Sequence, residues 1–203
     1  MLAMQSQEAQ QTCSRRLIIR SNRSRFAARL NTGVSEHMED SDSMTASEMF
    51  ARRDATENEI SGLIGQLVFN YSRFVTGLHL CVAWHNEGKD LDRYPSIAED
   101  LAAADLLRRI EKQALTKLED KSTGLKKYKS WLRRAHQVRE TRNIVMHSRW
   151  GIEPYGRHAI ATSPVFVEPP KEVIFTVDQL RQLCQACEKL SSELNELREE
   201  YPL

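Results

Sequence analysis

The chain has 203 residues, 40% hydrophobic and 28% charged, which suits one soluble globular domain able to bury a core without staples. Its 29 Lys and Arg balance 28 Asp and Glu, so bulk charge selects neither a nucleic acid nor any other charged partner. There is no apolar run of membrane-spanning length and no secretory leader pattern, and four unpatterned cysteines (Cys13, Cys81, Cys184, Cys187) exclude a disulfide framework, so a reducing cytoplasm is expected.

Residues 1–43 differ from the rest. Six arginines lie between Arg15 and Arg29 with no acid among them, and Leu17-Ile18-Ile19 is the only apolar cluster. Such a segment buries too little to order itself and is expected to be disordered. It suits a basic nucleic-acid-binding arm or an organellar transit peptide. An over-extended start, with the working protein beginning at Met38 or Met44, is preferred, because nothing downstream needs the segment.

From Met44 onward the periodicity predicts an all-α plan of four to five helices. The first runs from about Ala46 to His85, with Ile60, Leu63, Ile64, Leu67, Tyr71, Phe74 and Leu78 among its apolar positions at steps of three and four. Phe69, Leu80, Cys81 and Trp84 add apolar surface off that face, so this end is expected to be covered on two sides. Gly62, Gly65 and Gly77 suit close approach of a neighbouring helix. Ser96 and Glu99 form a capping box that starts a second helix just after Pro95, ending near Asp120. A third helix, capped by Ser122 or Thr123, continues to about His147.

Beyond Trp150 the composition turns to Gly, Pro and β-branched residues. Short strands are expected over Ala159–Thr162, Pro164–Val167 and Glu172–Phe175, with Pro169-Pro170 as the last turn, making a small β-hairpin. Thr176 and Gln179 form a second capping box, and the last helix runs from Val177 to about Glu200.

The third helix carries the polar constellation. Trp131, Ala135, Val138, Arg142 and Val145 share one stripe, so Arg142 stands where a core side chain is expected. An arginine there either snorkels, pairs with an acid such as Glu57 or Glu59, or serves a site. Leu132, His136, Arg139, Asn143 and His147 form a neighbouring stripe. Arg142 and His147 lie five apart, about 140° of rotation on an ideal helix, so a loosened helix end, a substrate or a second subunit must close the angle between them.

The run Arg142-Asn143-Ile144-Val145-Met146-His147 resembles the Arg-x4-6-His motif of the HEPN superfamily (higher eukaryotes and prokaryotes nucleotide-binding), in which a polar residue, often Asn, follows the arginine. The resemblance also extends to the plan, a helical bundle with the motif near the end of a late helix. It implies a metal-independent endoribonuclease of toxin or phage-defence type that takes no cofactor, works as a homodimer on RNA, and has an antitoxin or nucleotidyltransferase partner. It further implies His147 as general base or acid, Arg142 as the group stabilising phosphoryl charge, and Asn143 as an orienting side chain. Arg139 and His136 are the candidate substrate-binding residues, with a solvated surface charge and a surface histidine as their plain alternatives. A non-catalytic HEPN-like binding or dimerisation module is the alternative function.

Other features suggest less. Cys184 and Cys187 fall on the apolar face of the last helix, which favours packing over redox or zinc chemistry. His79 and His85 are six apart and share no helix face, so no metal site is expected. Trp150 and Tyr155 suit either stacking on bases or closing a hairpin over the bundle, the latter preferred.

Overall fold

The computed structural model describes residues 44–89, 91–93, 101–153, 156–164 and 169–203. The expectations for residues 1–43, for Ser96 and Glu99, for Tyr155 and for a strand over Val165–Val167 lie outside them. Among the described residues the order is α1 (Ala46–Ala83), α2 (Ala103–Lys117), α3 (Thr123–His147), β1 (Arg149–Ile152), β2 (His158–Thr162), β3 (Glu172–Thr176) and α4 (Val177–Glu200). Two short 3-10 turns, His85–Gly88 and Leu91–Arg93, follow α1.

Side-chain caps set three of the four helix starts. Thr45 and Glu48 form a capping box at α1, and the Ser122 hydroxyl accepts the Leu125 N–H at α3. Thr176 and Gln179 form the expected box at α4. Each cap contributes about 1 kcal/mol by satisfying donors that the first turn leaves open. Helix α2 has no such cap; it begins at Ala103, after an extended Ala102, and ends at Lys117. Leu101, expected inside this helix, packs on the core from just before it instead.

Helices α1 and α4 run parallel, since Glu59 meets Arg181 and, further along both, Asn70 donates to Glu188. Helix α3 runs antiparallel to α4, joined by Lys127–Glu200 and Arg134–Glu193. Helix α2 packs on α1 and α3 and closes the ring. Inside it Phe74, Leu106, Leu107, Ile110, Trp131 and Leu194 are fully buried, each worth roughly 1.5–3 kcal/mol of burial. The Trp131 indole N–H donates to the Leu190 carbonyl at 3.0 Å, so this large residue enters the core without an orphaned donor. Asn70, a buried polar side chain that apolar periodicity does not anticipate, donates to the Glu188 carboxylate at 2.8 Å.

Three expectations change. Phe69 is 70% exposed, Leu80 50% and Trp84 52%, so the outer side of α1 is open and only Cys81 of that group is buried. Cβ atoms placed on Gly62, Gly65 and Gly77 would meet nothing within 4 Å, so these glycines serve no close helix approach. The expected hairpin is part of a three-stranded antiparallel sheet in the order β1-β2-β3. Its extra strand follows α3 after a single residue, Ser148, whose backbone turns from helical to extended (φ −90°, ψ 157°). In the pairing, Trp150 lies opposite Ala161, which faces Val173 on β3.

Candidate functional site

Of the polar residues of α3, Arg142 is the one that meets α1. Arg142 projects from the core stripe and lies over the ring of Tyr71, its guanidinium carbon 4.6 Å from the ring centre. This cation–π contact is the way the fold accepts a cation in an apolar seam. Arg142 Nη1 donates a long hydrogen bond of 3.3 Å to Asn143 Oδ1, and its Nε is buried without a partner.

The alternative of an ion pair with Glu57 or Glu59 does not form. Glu59 instead holds Arg157 at 2.6 Å and Arg181 at 2.9 Å, stitching the sheet and α4 to α1, while Glu57 is exposed. No carboxylate of the described residues pairs with Arg142. Arg139, one turn earlier, resembles it: its Nε is also buried without a partner, and its Nη2 reaches only the adjacent Glu140 at 3.3 Å. Burial raises the Tyr71 phenol above its ordinary pKa, opposed by the positive charges of Arg142 and Arg139. Each of these two guanidinium groups is partly desolvated and has few hydrogen bonds already spent.

His147 is the last residue of α3 and is exposed. The helix does not loosen there, because the Ser148 N–H still bonds to the Ile144 carbonyl at 3.1 Å. The rotation of about 140° between Arg142 and His147 therefore persists, and one chain does not bring them together. Asn143 lies on the same flank as His147 and touches Arg142, so it stands between the two. The helix end is held by Trp150, whose indole N–H donates to the Val145 carbonyl at 3.0 Å and whose ring packs on Phe175 at 5.7 Å. Trp150 is thereby engaged in closing the sheet over the bundle.

His136 lies half-buried on the same flank. Burial, and then the nearby Arg139, hold its pKa below the ordinary histidine value, with Glu111 and Glu140 partly opposing. It therefore enters the site as a neutral hydrogen-bonding group near neutral pH rather than as a cation. Tyr71 is the participant that sequence reasoning counted only as core; an aromatic residue in the stripe facing a seam arginine was the signal for it.

The remaining chemistry-bearing residues belong to the scaffold. Cys81, Cys184 and Cys187 are buried, and burial pushes the Cys187 thiol up to about 12, out of the range of a reactive thiolate. Among the described residues no group of three His, Cys, Asp or Glu side chains is placed to hold a metal ion, and no helix is long and apolar enough to cross a membrane. The groove between α3 and α4 is crossed by the Lys127–Glu200 and Arg134–Glu193 ion pairs, which leaves its cations engaged. Comparisons with protein-family models, with curated proteins and with solved structures found no match, so the site stands on its own residues.

Proposed function

We propose that this chain is a metal-independent endoribonuclease of HEPN type, acting on RNA as a homodimer in a toxin or phage-defence role. One observation carries the proposal. Arg142 is held in a half-buried position on Tyr71 with no carboxylate partner and with its Nε unsatisfied. Such a guanidinium is a donor set poised for an incoming oxyanion, and a phosphodiester suits its forked geometry.

In the proposed reaction the ribose 2′-oxygen attacks the adjacent phosphorus while a base takes the hydroxyl proton. The bond from phosphorus to the 5′-oxygen breaks, that oxygen gains a proton, and the products are a 2′,3′-cyclic phosphate and a 5′-hydroxyl. Histidine is the side chain best suited to such proton transfer near neutral pH, which assigns His147 as base or acid. Arg142 neutralises charge on the non-bridging oxygens, supported by Arg139, and Asn143 orients Arg142 through its Oδ1. A second copy closes the angle that one helix leaves open, setting His147 of one chain against Arg142 of the other.

The test is cleavage of transfer and messenger RNA by the purified chain in the presence of EDTA. His147→Ala should abolish cleavage while the helical circular-dichroism signal is kept. Undiminished cleavage by that variant, or a metal requirement, contradicts the proposal. The second function, a non-catalytic HEPN-like binding or dimerisation module, is favoured by the separation of Arg142 and His147 on α3. It predicts RNA binding that Arg142→Ala weakens, with no cleavage of any substrate.

A further inference from the structure

Helix α3 sorts its cations by face. Thr123–His147 carries seven Lys or Arg residues against one acid, Glu140, whereas α4 carries six acids against three Lys or Arg residues. The near-neutral total therefore conceals a separation of charge. Lys127 and Arg134, turned toward α4, are held by Glu200 at 2.6 Å and Glu193 at 2.7 Å. Lys126, Lys129 and Arg133 lie about 80–160° around the helix from that pair, are exposed, and pair with no carboxylate of the described residues.

At 100° per residue these three fall with His136 and His147 within an arc of about 80°. Glu140 shares the arc as its one acid, and Arg139 reaches it at a long 3.3 Å. From Lys126 to His147 the rise is about 32 Å, long enough for several nucleotides of single strand. A helix that binds a membrane surface sets large apolar residues beside its cations. Ile144 is the only exposed large hydrophobic residue in this arc.

We infer that the outer face of α3 is a track for the phosphate backbone of single-stranded RNA, with Lys126, Lys129 and Arg133 binding phosphates several nucleotides from the His147 end. The inference rests on RNA as the ligand proposed above, and it extends the site from one scissile phosphate to a polynucleotide. Contacts of this kind give affinity without sequence preference and a strong dependence on salt.

The experiment uses the full chain carrying His147→Ala, to prevent turnover, and a fluorescein-labelled single-stranded RNA of about 12 nucleotides followed by anisotropy from about 50 to 300 mM KCl. Adding Lys126→Gln, Lys129→Gln and Arg133→Gln should weaken binding at low salt at least about tenfold. It should also reduce the slope of log affinity against log salt by about 2, since each single-strand phosphate contact contributes about 0.7. A control variant with the same charge change elsewhere, Lys171→Gln, Lys189→Gln and Arg198→Gln, should keep the slope. An unchanged slope in the α3 variant, or an equal loss in the control, overturns the track. So does a variant that loses binding to phosphatidylserine vesicles but not to RNA. His147-dependent cleavage with unaltered RNA affinity in the α3 variant removes the track and leaves the nuclease. A reduced slope in a chain that cleaves nothing removes the nuclease and leaves the track.

Discussion

Replacing Arg142 with Met separates a cation kept for a ligand from one kept for the fold. The variant keeps the length and the apolar stem but removes the guanidinium. Lost with it are the cation–π contact at 4.6 Å, about 1 kcal/mol, and the long bond to Asn143, about 0.5 kcal/mol. Relieved is the burial of an Nε–H without a partner, a cost of roughly 1–3 kcal/mol. A methionine sulfur near the Tyr71 ring adds about 0.5 kcal/mol. The balance runs from zero to about 2 kcal/mol in favour of the variant. For a domain of this size that is a Tm unchanged or raised by a few degrees. Thermal and urea denaturation followed by circular dichroism measure it, with RNA binding assayed in parallel. Retained stability with RNA binding weakened about tenfold or more is expected. A loss of more than about 1 kcal/mol would refute the reasoning, because Arg142 would then be a structural cation satisfied by the fold.

Trp150→Phe removes the indole bond to the Val145 carbonyl and should cost about 1 kcal/mol in urea denaturation. Cleavage kinetics should show a lower kcat with little change in KM, since the helix end carrying His147 loosens. His136 should titrate below an ordinary histidine in NMR spectra. For a histidine whose folded pKa is depressed, stability is full above the unfolded value of about 6.5 and falls as pH drops through it toward the folded value; His136→Gln should flatten that part of the profile. Gly124→Ala would place a Cβ 2.6 Å from Tyr201 Cδ1, so a cost of about 1–2 kcal/mol is expected. Combining it with Tyr201→Ala should cost less than the sum of the two single changes.

The helices were legible because their signals are local. Apolar steps of three and four, the Thr176–Gln179 box and Ser122 place α1, α3 and α4 within a residue or two of their observed ends. Strand β1 was hidden because Arg149-Trp150-Gly151-Ile152 has one glycine and one charge among four residues, and its pairing with β2 is a tertiary matter. Apolar residues do not announce whether anything covers them, so Phe69, Leu80 and Trp84 read as a second buried side and are exposed. In the site, Arg142 was conspicuous as a cation in an apolar stripe. Its partner was not, because Tyr71 fits the core pattern as well as any apolar residue does. The sorting of cations on α3 was equally invisible, since it depends on Glu193 and Glu200 arriving from another helix.

Subunit complementation tests the central claim, a site assembled from Arg142 of one copy and His147 of another. Arg142→Met and His147→Ala chains, each inactive alone, are denatured together, refolded as a mixture and assayed for RNA cleavage. Random pairing makes half the dimers mixed, and each mixed dimer holds one intact composite site, so about a quarter of the parent activity should return. If the mixture cleaves no better than the separate variants while cross-linking shows that mixed dimers have formed, the site does not span two subunits and the proposed mechanism is contradicted.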